Sequence, residues 1–234
     1  MPTSFTELQL EESYFAGVEG LNLVEAFYEP VLAAAVSYDR VAGYFSSAAL
    51  SIAAKGIAGF VANGGTMRLV TSHAFTRGDV RRLREVAERK RLEEEILEGF
   101  KQSIEDLEGL GGAIAKDHFS AMCWMLAAGK LQITVVVPRG ADLSNLTPTE
   151  IEKFHPKFGI LEDADGNELA FSGSVNETRF AWTMNDENLD VYQGWLPGRQ
   201  AYIEPKRKRF DAYWSGVDEE SWYSLDLPAA VKQK

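Results

Sequence analysis

The stretch His155 to Phe180, HPKFGILEDADGNELAFSGSVNETRF, carries a histidine two residues before a lysine, then a turn, then Gly-Ser-x-Asn. Histidine can act as a nucleophile or move a proton near neutral pH, and a lysine beside it offers positive charge to an anionic substrate. A strand's period of two puts His155 and Lys157 on one face with Gly159 beside them, and turns Phe154, Phe158 and Ile160 the other way. After the turn signal DADGN the alternation resumes, with Leu169, Phe171 and Val175 against Ala170, Ser172, Ser174 and Asn176. Pairing of the two strands is expected to gather His155, Lys157, Ser174 and Asn176 around a space kept clear by Gly and Ala. NDENLDVYQGW reads as a third strand, opening with Glu187. His-x-Lys alone is common on half-exposed strands. The ordered set His155, Lys157, Ser174, Asn176 and Glu187 on adjacent strands is what lifts the stretch above an ordinary hairpin.

The elements that must position this set can be read upstream. LNLVEAFYEPVLAAAVSYD has helical spacing broken at Pro30, and RVAGYFS reads as a short strand. AALSIAAKGIAGFVANGG is an amphipathic helix closed by Asn-Gly-Gly, and TMRLVTS follows as a strand. That β-α-β order fits a parallel pair with a crossover helix. From Asp79 to about Leu110 apolar residues recur at helical spacing among many charges, which predicts a long surface helix or two. FSAMCWMLAAG is a more apolar helix, and LQITVVVP a buried strand. A polar linker, RGADLSNLTPTEIE, leads into the hairpin, and RQAYIEPKRKRFDAYWSG reads as a final helix interrupted near Pro205.

Composition limits the classes of function. With 234 residues, 45% apolar and 25% charged, the chain suits one soluble domain with a full core. No apolar run approaches the roughly 20 residues that span a bilayer, and the start lacks a signal-peptide plan, so a cytoplasmic protein without membrane contact is expected. The single cysteine, Cys123, reads as a core residue. His73, His118 and His155 are scattered, without metal-ligand spacing. A net charge of -11 opposes nonspecific nucleic-acid binding by the surface as a whole, so any such contact needs a local basic patch. For Lys206, Arg207, Lys208 and Arg209 a patch and a solvated helix face are equal readings.

With "HPK" as a His-x-Lys element, "GSVN" as Gly-Ser-x-Asn, and "VAGYFSSAAL…NGGTMRLVTS" as strand, helix and strand of one lobe, the chain resembles the phospholipase D-like (HKD) phosphodiesterase superfamily over nearly its whole length. More narrowly, "YDRVAGYFSSAAL" and "HPKFGILEDADGNELAFSGSVNET" are similar to modules at the N-terminus of bacterial DEAD/DEAH or SNF2-type helicases and in restriction and phage-defence proteins. One departure stands out: the family's Asp five residues after the Lys is Glu162 here, with Asp163 next to it.

The resemblance implies an α/β phospholipase D-like fold, a central mixed β-sheet flanked by helices on both faces. It implies one domain over residues 1–234, with about 79–130 as a helical insertion, and a single HKD lobe that pairs as a dimer, the whole serving as the N-terminal module of a longer helicase protein. It further implies a metal-independent phosphodiesterase needing no cofactor. His155 would attack phosphorus through one ring nitrogen and give a phosphohistidine, while Glu187 hydrogen-bonds the other. Lys157 and Asn176 would bind nonbridging oxygens, with Ser174 a lesser donor. Gly173 and Lys206 to Arg209 form a weaker substrate-binding set. Since one chain supplies one such histidine, a homodimer with a shared active site is expected. DNA is the expected substrate, with RNA open, in a restriction or antiviral setting with a helicase or ATPase partner. The alternatives are a catalytically silent module that dimerises a helicase or grips nucleic acid, and a small-molecule or lipid phosphodiesterase.

Overall fold

The computed structural model describes residues 4–16, 21–43, 45, 49–50, 53–72, 118–139, 154–175, 187–216 and 222–226. The described strands are β1 (Ser13–Ala16), β2 (Ala35–Ala42), β3 (Thr66–Ser72), β4 (Leu131–Pro138), β5 (Phe158–Asp163), β6 (Glu168–Gly173), β7 (Glu187–Gln193) and β8 (Trp222–Asp226). They form one sheet in the order β1-β7-β6-β5-β2-β3-β4-β8. The β2–β3 and β3–β4 pairs are parallel and the rest antiparallel, so the sheet is mixed, as expected.

Helices cover both faces. On one, α1 (Glu29–Ala34), α2 (Ala54–Ala62) and α3 (His118–Ala127) bring Leu32, Ile57, Phe60 and Met122 into a core with Tyr38, Leu69, Val135, Leu161, Phe171 and Leu189. On the other, Phe210 and Tyr213 of α4 (Gln200–Ser215) lie over Val41, Val70, Val136 and Phe158, and Ile203 meets Ile160 and Ala170. Burial from both sides explains why β4 reads as a continuous apolar run rather than an alternating one. No helix among the described residues is long and apolar enough to cross a membrane.

The crossover between β2 and β3 uses α2, closed at Asn63 with Gly64 at φ 77°, a left-handed position that favours glycine. A Cβ at Gly59 would sit 2.9 Å from the Ala33 Cα, so α1 and α2 approach as closely as they do only because glycine stands there. Ala121, Met122 and Met125 of α3 are fully buried in the main core. Residues 118–127 therefore belong to the body of the fold, whereas the expected helix over Asp79 to Leu110 and the linker before the hairpin lie outside the described residues.

Three local expectations are corrected. Pro30 does not break a helix: a π-helical turn, Val24–Tyr28, runs into α1, and this irregular turn falls just ahead of the ring that lacks an N–H. Pro205 does not interrupt α4 either, because it lies on the exposed side, where water can satisfy the carbonyl it leaves unbonded. The strand expected as RVAGYFS begins earlier, at Ala35, and includes residues whose helical spacing assigned them to the helix before it. β1 and β8 had no sequence expectation; both are short edge strands.

Candidate active site

β2, β3 and β4 end at the same end of the sheet where β5 and β7 begin and β6 finishes. Lys157 stands just ahead of β5 at this end and is 8% exposed, whereas His155 is exposed. The Lys157 Nζ lies 3.0 Å from His155 Nδ1 and donates to the His155 carbonyl at 3.0 Å. An ammonium has no lone pair, so while Lys157 is charged Nδ1 is the acceptor and the ring proton sits on Nε2. Glu187, 9% exposed, opens β7 two residues before Leu189, the partner of Gly173, and so belongs to the Lys157 face.

The buried charge of Lys157 is kept labile. Burial, reinforced by the positive charge of Arg40 and opposed by Glu187, brings its pKa down to about 8. Arg40 carried no sequence expectation, yet it is fully buried. Arg40, Gly159 and Phe171 form one cross-strand row over β2, β5 and β6. A Cβ at Gly159 would run into the Phe171 and Tyr38 rings. The room expected beside Gly159 is thus filled by Phe171, and the Arg40 guanidinium reaches across to lie 4.9 Å from that ring's centroid. It also donates to the Val175 carbonyl at 2.6 Å, fixing the backbone one residue before Asn176. The available signal was a charged pair, Asp39-Arg40, inside an apolar strand: Asp39 turns to the α4 face and binds Arg68 at 2.7 and 2.5 Å, and Arg40 turns to the site.

The polar half of β6 is not where the alternation argument expected it. Phe158 pairs with Ser172 and Ile160 with Ala170, so Ser172 and Ala170 face α4, while Leu169 and Phe171 share the Lys157 face. The period of two was right; matching polar with polar across the hairpin was not, because a sheet buried on both sides gives apolar residues to each face. Ser174 is exposed beyond the end of β6, and its hydroxyl accepts the Asn188 N–H at 3.1 Å. Gly173 donates to the Lys157 carbonyl at 3.4 Å, and a Cβ there would fall on the Asn188 carbonyl. Both residues therefore shape the exit from β6 next to Lys157. Asn176 and His73 lie outside the described residues.

The basic run belongs to α4, on the opposite face. Lys206 sits 4.1 Å from the Tyr192 ring centroid, Arg207 pairs with Glu168, Arg209 donates to the Tyr213 hydroxyl at 2.9 Å, and Lys208 is exposed. None of the four shares the face of Lys157. The acid after the His-x-Lys element is built in at Asp163, which is 1% exposed, while Glu162 is half-buried. Asp163 accepts from the Ser4 hydroxyl at 2.9 Å, the Phe5 N–H at 2.7 Å, the Asp165 N–H at 3.0 Å, and both the backbone and side chain of Asn167 at 2.9 Å. Burial pushes its carboxyl up, but these donors prevail and hold it below the usual carboxylate range. Among the described residues no three His, Cys, Asp or Glu side chains converge as metal ligands.

No protein-family model matches the chain, and no curated protein matches it. Solved structures similar to it include a phospholipase D family member, Nuc from Salmonella typhimurium, at 14% identity and TM-score 0.45, covering 92% of this chain and 95% of that one. NucT from Helicobacter pylori is similar at 11% identity and TM-score 0.46, covering 90% and 96%. Phosphatidylserine synthase from Haemophilus influenzae Rd KW20 is similar at 13% identity and TM-score 0.47, where 95% of this chain corresponds to 40% of that one.

Proposed function

We propose that the chain is a phospholipase D-like phosphodiesterase that cleaves DNA through a phosphohistidine at His155. The observation that carries this is the pairing of an exposed histidine with a buried lysine 3.0 Å away, at one end of the sheet beside Arg40 and Glu187. Such a site offers a nucleophile and preorganised positive charge where a phosphorane would gain negative charge. In the resting arrangement Nδ1 is held by Lys157. A phosphate oxygen entering the site competes for that ammonium and releases Nδ1 to take the ring proton, which leaves the lone pair on Nε2. Nε2 then forms a bond to phosphorus as the bond to the leaving oxygen breaks, and that oxygen takes a proton from His155 of a second copy, which enters the step as the doubly protonated imidazolium and leaves it as the neutral imidazole. Water next displaces the histidine from phosphorus, giving up its proton to the same second imidazole. Asn176 serves as a further donor to the nonbridging oxygens, and Ser174 helps hold the strand exit that leads to it. Glu187 sustains the positive form of Lys157. A homodimer, a helicase or ATPase neighbour and a restriction or antiviral setting complete the reading, supported by the two sequence stretches similar to helicase-linked modules. Denaturing the protein during turnover of single-stranded DNA labelled at its internal phosphates should trap label on the chain as an acid-labile adduct, lost in His155→Ala. Equal labelling of the variant excludes His155 as nucleophile.

A further inference from the structure

At the same end of the sheet and on the same face as Lys157 stands a second pair of side chains. Tyr223 of β8 is opposite Val137 of β4, and Val137 belongs to the core on the Lys157 face, so Tyr223 faces that way too. Two residues beyond Val137, Arg139 repeats the alternation, and its guanidinium lies 5.3 Å from the Tyr223 ring centroid. Tyr223 is 53% exposed and Arg139 is exposed. The strand beneath is anchored from the other side: the Trp222 ring meets Phe154 at 5.0 Å, and the Ser224 hydroxyl donates to the Tyr213 carbonyl at 2.6 Å. Phe154 immediately precedes His155, so one aromatic contact fixes the position of both the candidate nucleophile and this pair.

We propose that Arg139 and Tyr223 form a subsite for an unpaired nucleobase and its phosphate, so that the phosphodiester taken at His155 belongs to a single-stranded nucleic acid running across the ends of β2, β3 and β4 towards β8. The inference rests on the phosphodiesterase reading and names its substrate class. A planar cation against an aromatic ring presents a stacking surface and donors to an oxygen anion together, the combination that single strands use and that a duplex, its bases already stacked, cannot. With a net charge of -11 the molecule repels a polyanion over most of its surface, so a cation on the face that carries His155 and Lys157 decides which way the strand leaves. From β5 to β4 is three strand spacings, about 14 Å, a reach of a few nucleotides.

The test uses the full chain in EDTA, with equilibrium binding of a short fluorescein-labelled single-stranded oligonucleotide beside turnover of bis(p-nitrophenyl) phosphate, which is too small to reach β8. Arg139→Ala and Tyr223→Ala should each weaken oligonucleotide binding about tenfold, while Tyr223→Phe, which keeps the ring and the strand, should bind as the parent does. The ratio of oligonucleotide to small-diester kcat/KM should fall by a similar factor in both alanine variants. Unchanged binding in Arg139→Ala and Tyr223→Ala, or equally tight binding of the duplex form, overturns the subsite. Failure of the parent to turn over either substrate overturns the hydrolytic reading instead, and the binding series still decides the subsite.

Discussion

Lys157 carries its charge in surroundings that disfavour it. Below about pH 8 the folded and unfolded chains are both protonated at this residue, and folding bears the penalty of burying the ammonium; between about 8 and about 10.4 the folded chain has released the proton that the unfolded chain keeps, so this residue's contribution to stability rises with pH. A side chain kept at such a cost is a sign of use. Lys157→Met, of similar shape and without charge, should keep or raise the melting temperature at pH 7 while cutting phosphodiester turnover about 10²-fold to 10³-fold. If the ammonium is the working form, parent activity falls as pH rises through about 8. Arg40 lowers that limit, so Arg40→Met should move the alkaline limb of the pH profile upward, which a purely structural loss would not do. It should also cost about 1–3 kcal/mol in urea unfolding, through the buried Val175 carbonyl left without its donor. Type and spacing singled out His155, Lys157 and Glu187, and the structure sets the Lys157 Nζ 3.0 Å from His155 Nδ1 with Glu187 on the Lys157 face. They concealed Arg40, whose role depends on Gly159 having no side chain and on the register across three strands, neither of which a single strand's pattern records.

At the scale of elements, cap and turn signals located what periodicity alone did not: the Asn63-Gly64 closure bounds α2, and the DADGN turn places the β5–β6 hairpin. Periodicity misplaced the start of β2, since a strand buried on both faces has no alternation to set against the helix before it. It also paired the wrong faces of the hairpin: only the register shows that Ser172 lies with Phe158 and Phe171 with Lys157. The hairpin is further tied to the start of the chain. Ser4, Phe5 and Asn167 all donate to Asp163, and their preference for its ionised form gives stability that is present above the ordinary carboxylate range, about pH 4, and lost as pH falls through the depressed folded value. Asp163→Ala should therefore destabilise the chain by about 2–4 kcal/mol at pH 7 and flatten its acid-unfolding curve, measured by circular dichroism against pH.

At the scale of the molecule, one chain offers the His155–Lys157 pair once among its described residues, while the proposed chemistry needs a second imidazole to protonate the leaving oxygen. Light scattering should therefore give a two-chain particle, and a mixed particle of one parent and one His155→Ala chain should lose nearly all turnover, not half of it. Half-activity in the mixed particle would place all proton transfers within a single chain. The acidic surface fits this economy: a molecule with net charge -11 gains little from nonspecific attraction to a polyanion, so recognition falls to the few cations on the site face.

At every scale the proposed chemistry turns on His155 as the nucleophile in a reaction that needs no divalent ion. Cleavage of labelled single-stranded DNA in EDTA by the parent chain and by His155→Ala, with folding of both confirmed by circular dichroism, decides the matter. The parent should cut in EDTA, and the variant should lose about 10³-fold or more of that activity. Comparable cutting by His155→Ala, or cutting by the parent only when magnesium is restored, would contradict that chemistry.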